Sequence, residues 1–257
     1  MSGGLGSGIA RLLAVLLVAW GMLLLAFFLP GIRLDTTFSV WLYWLTGTAG
    51  VTGAILIGLA LVGLLVLRAP LSRRRCLWET AVHITVLGFL LGGGVLANEH
   101  LIKASLAVHR PNIVQLAAED VLGMSTEELY SSMDKEERRR YLYQVLTDPD
   151  FDAIPLSANV RDHWIHEAGY SLPSGHTFTA MLLATYFLAM GAVFVGKQRR
   201  WILYLLPGWA GLVAWTRVLL GVHRPEDVVW GGLFGMLLGA VAFFLSYRLL
   251  CRRRILT

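Results

Sequence analysis

The sequence has few charged residues and little cysteine for its length of 257 residues. Charged residues make up 15% of it, against about 25% in ordinary soluble domains, and this scarcity argues against a soluble enzyme. Hydrophobic residues make up 56%, which is the opposite of the balance found in disordered chains. The composition therefore predicts an integral membrane protein.

The main feature of the sequence is a series of long apolar runs. A helix needs about 20 apolar residues to cross a hydrocarbon core of roughly 30 Å. Six runs approach this length, at residues 12–29, 49–67, 78–102, 177–195, 201–220 and 228–247. The first is longer than the apolar core of a signal peptide and no A-x-A cleavage site follows it, which favours a retained helix. We therefore expect an all-α membrane domain over residues 1–257, with six transmembrane helices and both termini on one side.

The distribution of charge predicts the orientation of these helices. Loops on the cytoplasmic side of membrane proteins carry an excess of lysine and arginine. A cytoplasmic N-terminus places on that side all of the basic clusters, which are Arg11, Arg68, Arg73 to Arg75, Lys197, Arg199, Arg200, Arg248 and Arg252 to Arg254. The two cysteines, Cys76 and Cys251, then lie at cytoplasmic helix ends, where no structural disulfide is expected.

Residues 104–170 differ from the rest of the chain. They carry 12 acidic and 6 basic residues, and the orientation above places them on the outer face. Two capping-box patterns, Ser125 to Glu128 and Asp134 to Glu137, predict short helices in this stretch. We expect a small helical periplasmic insert within the membrane domain.

Polar residues near the ends of the apolar runs fall into three groups. A charged side chain at membrane depth costs at least ~2.5 kcal/mol on insertion scales. Charged residues that are nevertheless present there are therefore candidates for a functional site. Each group is predicted at the outer end of a helix, so the three can converge. They are Lys103 and Arg110 in KASLAVHRP, Ser174, Gly175 and His176 in PSGH, and Arg217, His223 and Asp227 in TRVLLGVHRPED.

Together these residue types can bind and cleave a phosphate ester. Arginine offers a planar fork to phosphate oxygens, and a helix that starts at PSGH exposes free N–H groups to an anion. Two histidines can serve as nucleophile and acid, and Asp227 lies one helical turn after His223. Singly, each group has a structural alternative: Lys103 could snorkel to the headgroups, PSGH could merely start a helix, and His-x3-Asp is common.

In this order, the motifs K-x6-R-P, P-S-G-H and R-x5-H-x3-D resemble the three-part signature of the type 2 phosphatidic acid phosphatase superfamily. They occupy residues 103–111, 173–176 and 217–227. The insert and the run HWIHEAGYSLPSGHT at 163–177 are most similar to the bacterial phosphatidylglycerophosphate phosphatases of that superfamily. The third motif usually opens Ser-Arg, whereas here it opens Thr216-Arg217, and both hydroxyls can donate a hydrogen bond.

The resemblance implies a role for each matched residue. His223 would attack phosphorus to form a phosphohistidine, Asp227 would hold its tautomer, and His176 would protonate the leaving oxygen and then activate water. The phosphate oxygens would be held by Lys103, Arg110, Ser174, Gly175 and Arg217. The family requires no metal, so we expect no metal or other cofactor. Glu167, just before PSGH, is either a contact for a lipid headgroup or a solvated carboxylate.

The implied function is a metal-independent lipid phosphatase of the bacterial inner membrane, with its active site facing the periplasm. Its substrate would be phosphatidylglycerophosphate, together with phosphatidic acid, lysophosphatidic acid and diacylglycerol pyrophosphate. Two alternatives stay open, an undecaprenyl pyrophosphate phosphatase for carrier-lipid recycling and a catalytically inactive lipid-binding relative. The expected partners are the phospholipid substrate and membrane lipids, with no nucleic acid and no obligate protein partner.

Two further patterns have structural interpretations. Gly231, Gly235 and Gly239 recur every four residues in the last run, which favours close helix packing within the chain or, less readily, in a dimer. The remaining histidines show no spacing typical of metal ligands; they are His83, His100, His109, His163 and His166.

Overall fold

The computed structural model describes residues 3–196, 198 and 200–252, with the side chains from residue 14 onward other than Arg252. Within these residues every regular element is helical, which confirms the all-α prediction. The α-helices are α1 Gly3–Leu25, α2 Thr37–Gly47, α3 Val51–Val66, α4 Arg73–Ala97, α5 Lys103–Leu106, α6 Pro111–Ala118, α7 Thr126–Ser132, α8 Lys135–Leu146, α9 Ala158–His166, α10 Gly175–Phe194, α11 Leu205–Leu219 and α12 Pro225–Arg252.

All six predicted runs fall on helices, but not all of these helices are long enough to span a membrane. Among the described residues, four helical stretches pass by length and composition, Arg73–Leu106, Gly175–Phe194, Arg200–Leu219 and Pro225–Cys251. Helices α2 and α3 are bent by 59° at the break between them and form a fifth span only if they are taken together. In α1 and the turn after it, side chains are described only over Ala14–Phe28, and this apolar stretch by itself is too short to pass. Six spans therefore stay a prediction.

Helix α10 is the centre of the bundle. It is buried along almost its whole length, and it packs against α12, α11, α3 and α4. A Cβ added to Gly231 would lie 2.4 Å from the Ser174 carbonyl oxygen, and one added to Gly235 would lie 2.3 Å from that of Phe178. The glycine stripe of α12 thus allows backbone contact with α10, which confirms packing within the chain.

Helices α6 to α9 lie within residues 104–170 and share a second hydrophobic core. Its fully buried members include Leu129, Leu142 and Trp164. Asp134 forms the predicted capping box with Glu137, whereas at the other predicted site Ser125 accepts from the Glu128 N–H. The Trp164 indole donates to the Leu220 carbonyl oxygen at 2.8 Å, and this bond joins the insert to the end of α11.

The basic clusters expected on the cytoplasmic side are described only in part. The Arg68 and Arg75 side chains pair with the buried Glu79 of α4 at 2.6 Å and 3.1 Å. The Arg11 and Arg252 side chains, and residues Lys197, Arg199, Arg253 and Arg254, lie outside the described residues.

Candidate active site

The three groups of polar residues converge where the insert meets the ends of α4, α10, α11 and α12. An Arg110 Nη1 lies 3.2 Å from His223 Nε2, so the first and third groups are in direct contact. The Ser174 N–H donates to the Asp227 carbonyl oxygen at 2.9 Å, which joins the second group to the third. The sequence prediction that these motifs meet is supported by both contacts.

His223 and Asp227 form a hydrogen-bonded pair. Helix α12 begins at Pro225, so the Asp227 carboxylate lies in its first turn, and its Oδ2 is 3.2 Å from His223 Nδ1. The same oxygen accepts from the Arg224 backbone N–H at 2.8 Å and from the Ser171 hydroxyl. A carboxylate at Nδ1 favours the tautomer with the proton on that nitrogen. The lone pair of Nε2 therefore faces Arg110.

Burial makes His223 a neutral base. Loss of solvent, with a smaller effect from the Arg110 charge, lowers the pKa of His223 to about 3, although Asp227 opposes this change. A neutral imidazole with a fixed Nδ1 proton is the form in which Nε2 can act as a nucleophile.

Glu167 lies between the two arginines of the site. Its Oε2 is 2.8 Å from Arg110 Nη2, and its Oε1 pairs with Arg217 Nη2. Burial favours the neutral acid, but the two guanidinium groups hold the pKa of Glu167 well below its usual range. The carboxylate is 14% exposed, so the solvated alternative from the sequence is wrong. It occupies the place where the arginines can bind an anion.

Arg217 is fully buried and is held from several directions. Its Nη1 donates to the Thr46 hydroxyl of α2 at 3.0 Å and lies 2.9 Å from His163 Nε2 of α9. Its Nε has no hydrogen-bond partner among the described residues. A buried guanidinium is costly unless it is paired, which accounts for the polar groups that α2 and α9 direct towards it.

Lys103 also faces the site, although a lysine at a helix end commonly extends to the headgroups. Its exposed fraction is 5%, and its Nζ donates to Glu99 Oε2 at 2.8 Å. The other oxygen of Glu99 pairs with Lys135, at the start of α8 in the insert. A π-helical turn at Asn98–Ile102 changes the helical phase just before Lys103. The snorkelling alternative for Lys103 is therefore wrong.

The PSGH segment forms the N-terminus of α10. The first hydrogen bond of the helix runs from Phe178 N to the Ser174 carbonyl oxygen at 3.0 Å. The N–H groups of Gly175 and His176 consequently have no acceptor within the helix and can bind an anion. The Ser174 hydroxyl accepts from Thr177 Oγ1 at 3.1 Å and keeps its own proton for donation. The His176 ring lies beside the start of α3, where a Cβ on Gly50 would be 3.5 Å from its Nε2.

A cavity of about 830 Å³ opens from these residues. Its walls beyond the polar end are apolar and come from α3, α4 and α10, with Val51, Ile55, Leu87, Leu91 and Leu183 among them. Its polar end is lined by Glu99, Lys103, Arg110, Lys135, Glu167, Gly175, His176 and His223. Such a cavity can hold an amphiphile with an anionic end and an apolar body.

Several residues of the site were not identified from the sequence. His163 lies four residues before Glu167, the same spacing as His223 and Asp227, and this repeated spacing could have suggested it. Ser171, Thr46 and Lys135 carry no such signal, because each reaches the site only through tertiary contacts.

The sequence is similar to those of proteins named as phosphatases. Residues 81–250 match the model of the PAP2 superfamily. Phosphatidylglycerophosphatase B of Escherichia coli K12 is 31% identical over 166 residues, which are 65% of this chain and 60% of that protein. The Haemophilus influenzae protein of the same name is 29% identical over 217 residues, 81% of this chain and 82% of that one. A provisionally named undecaprenyl-diphosphatase of Escherichia coli is 36% identical over 84 residues, 32% of this chain and 39% of its own length.

Proposed function

Because the chain belongs to the PAP2 superfamily, we propose that it is a membrane lipid phosphatase that hydrolyses phosphatidylglycerophosphate to phosphatidylglycerol. The observation that carries this proposal is the junction of a buried histidine and arginine site with an apolar cavity between α3 and α4. A phosphate monoester on a diacyl lipid matches both ends of that cavity. Phosphatidic acid, lysophosphatidic acid and diacylglycerol pyrophosphate share this chemistry and are further substrates.

In the first step the substrate phosphate takes the place of Glu167 between Arg110 and Arg217. Lys103, the Ser174 hydroxyl and the Gly175 N–H bind further oxygens and stabilise the charge of the transition state. The Nε2 lone pair of His223 forms a bond to phosphorus as the bond to the lipid oxygen breaks. His176 donates its proton to that oxygen, and the lipid alcohol leaves.

The second step returns the site to its starting state. His176, now neutral, takes a proton from water, and the water oxygen attacks the phosphohistidine. The phosphorus–nitrogen bond breaks and its electron pair returns to Nε2 of His223. Asp227 keeps the Nδ1 proton in place during both steps, and inorganic phosphate leaves.

We further propose six spans, cytoplasmic termini and an active site on the periplasmic side of the bacterial inner membrane. The basic residues that flank the apolar runs support this orientation. The insert supports it too, since it lies at the same end of the bundle as His176 and His223, opposite the Arg68–Glu79 ion pair. The lipid substrate then reaches the site from the outer leaflet.

The test is phosphate release by the purified protein in detergent. We expect His223→Gln to lower kcat on phosphatidylglycerophosphate by roughly 1,000-fold or more, since it removes the nucleophile. His100→Gln changes an exposed histidine of the π-helical turn in the same way and should keep wild-type activity. Folded His223→Gln protein that works at the wild-type rate would overturn the mechanism.

An undecaprenyl pyrophosphate phosphatase is the second candidate, favoured by the shorter match to a protein of that name. The motifs recognise phosphate and not the lipid tail, so rates must be compared for both lipids in one preparation. A higher kcat/KM on undecaprenyl pyrophosphate would make carrier-lipid recycling the main activity. Tight binding of phosphatidic acid without any phosphate release would instead indicate the inactive lipid-binding relative.

A further inference from the structure

Each of two carboxylates at the polar end of the cavity forms ion pairs with two cations. Glu167 lies between Arg110 and Arg217. Glu99 lies in the same way between two lysines, with Oε2 2.8 Å from Lys103 Nζ and Oε1 paired with Lys135 Nζ. The site therefore has two places where an anion is held by a pair of positive charges.

The two places are adjacent, with Gly169 between them. The Gly169 carbonyl oxygen accepts from Arg110 Nε at 3.0 Å. On its other side, a Cβ added to Gly169 would lie 3.4 Å from Glu99 Oε1 and 3.6 Å from Lys135 Nζ. The lysine pair is thus separated from the arginine site by little more than one backbone unit, and both open into the same cavity.

Positive charge is in excess at this end of the cavity. Lys135 comes from the insert, and its side chain is 38% exposed. Arg139, one turn further along α8, also lines the cavity, but its Nη1 pairs with Glu136 at 2.6 Å. Apart from that pair, the carboxylates of Glu99 and Glu167 face four cations, Lys103, Lys135, Arg110 and Arg217. This excess of positive charge favours the binding of a second anionic group.

We propose that Lys135, next to Lys103, forms a second phosphate subsite, which Glu99 occupies until substrate binds. It receives the second phosphate of lipids that carry two, while the reacting phosphate binds to Arg110, Arg217 and Lys103. The second phosphate is linked to the first through glycerol in phosphatidylglycerophosphate and directly in a lipid diphosphate. Phosphatidic acid has one phosphate and leaves the subsite unused. This inference rests on the proposed lipid phosphatase function.

The test compares dioleoyl phosphatidylglycerophosphate with dioleoyl phosphatidic acid in the same detergent. The measured quantity is the ratio of kcat/KM for the first lipid to that for the second. We expect Lys135→Met to lower this ratio about tenfold, mainly through KM, and Lys135→Arg to restore most of it. Arg140→Met removes one charge from an exposed position of the same helix and should leave the ratio unchanged.

A second variant separates phosphate binding from a purely structural ion pair. If Lys135 only holds Glu99 in place, Glu99→Gln should lower the ratio as Lys135→Met does. If the subsite binds phosphate, Glu99→Gln should raise the ratio, because the second phosphate no longer competes with a carboxylate. Opposite signs for the two variants support the subsite, and equal signs overturn it.

The remaining outcomes distinguish this inference from the function on which it rests. Wild-type protein that cleaves both lipids, together with a Lys135→Met ratio equal to wild type, overturns the subsite and leaves the phosphatase intact. Wild-type protein that releases no phosphate from either lipid overturns the proposed function. Diacylglycerol pyrophosphate in place of phosphatidylglycerophosphate then shows which linkage between the two phosphates fits the subsite better.

Discussion

Ser171 contacts both members of the proposed catalytic pair, His223 and Asp227, and can position them. Its hydroxyl donates to Asp227 Oδ2 and lies 3.2 Å from His223 Nδ1. A hydrogen bond to a charged group contributes about 1.5–3 kcal/mol to stability. Part of the energy of the bond between Ser171 and Asp227 keeps the His223 imidazole aligned. We therefore expect Ser171→Ala to lower kcat about tenfold, measured by phosphate release, with KM changed less than twofold.

The control for Ser171 is a serine that makes only a surface contact. Ser131 of α7 donates to the Glu128 carbonyl oxygen on the exposed side of the insert, and Ser131→Ala should not alter either constant. If Ser171→Ala raised KM and left kcat unchanged, Ser171 would contribute to binding and not to the alignment of His223.

Two buried histidines make the stability of the protein depend on pH. Loss of solvent lowers the pKa of both His163 and His223 to about 3, with contributions from the charges of Arg217 and Arg110 respectively. Near pH 6.5 and below, the unfolded chain takes up protons at these imidazoles and the folded protein does not. The folded state is therefore fully stabilised above pH 6.5 and loses up to ~1.4 kcal/mol per pH unit for each histidine as the pH falls towards 3.

The measurement is thermal unfolding in detergent at pH 7 and pH 5. We expect the Tm of the wild type to fall over this interval, and the fall to be smaller in His163→Gln, where one of the buried imidazoles is absent. His100→Gln, at an exposed position, should keep the wild-type difference. An equal fall in His163→Gln and wild type would show that His163 is not kept neutral by the fold.

Among the helices, the contact between α10 and α12 positions the proposed catalytic groups. Gly231 faces the Ser174 carbonyl oxygen, where an added Cβ would lie 2.4 Å away, so alanine would push the PSGH turn away from Asp227. Overpacking of this kind costs about 1–3 kcal/mol. We expect Gly231→Ala to lower both Tm and kcat, as measured by thermal unfolding and by phosphate release.

A second glycine provides the matched control. Gly208 of α11 has open space at the position of a Cβ, and alanine favours a helix by up to about 1 kcal/mol over glycine. Gly208→Ala should therefore keep activity and hold or raise Tm. Equal losses in both variants would mean that glycine acts through helix flexibility and not through the backbone contact.

The sequence allowed prediction of the motifs but not of the groups that surround them. Arg110, His176 and His223 lie on three motifs with fixed internal spacing, so their meeting at one end of the bundle could be expected from the order of the apolar runs. Glu99 and Lys135 are 36 residues apart and belong to different elements. Their pairing depends on how α8 folds over the end of α4, which no local pattern records.

At the level of the whole molecule, the apolar runs predicted the helices better than they predicted the spans. The run 49–67 is helical, but α3 is only 16 residues long and its partner α2 meets it at a bend of 59°. Apolar composition measures transfer into lipid and carries no information on where a chain bends. The insert was recognised from its charge and capping boxes, whereas its hydrophobic core required the fold.

The proposed orientation of the whole protein can be tested by cysteine labelling in intact cells. We expect a single cysteine at Ser131, exposed on the insert, to react with a membrane-impermeant maleimide from outside, because the proposed orientation places the acidic insert on the periplasmic face. Ser72, exposed before α4 at the basic end of the bundle, is the matched position and should react only after the membrane is permeabilised. Both variants carry Cys76→Ser and Cys251→Ser, which removes the native thiols. The reverse labelling pattern would place the basic clusters outside the cell. The lipid substrate would then enter from the inner leaflet and not from the outer one.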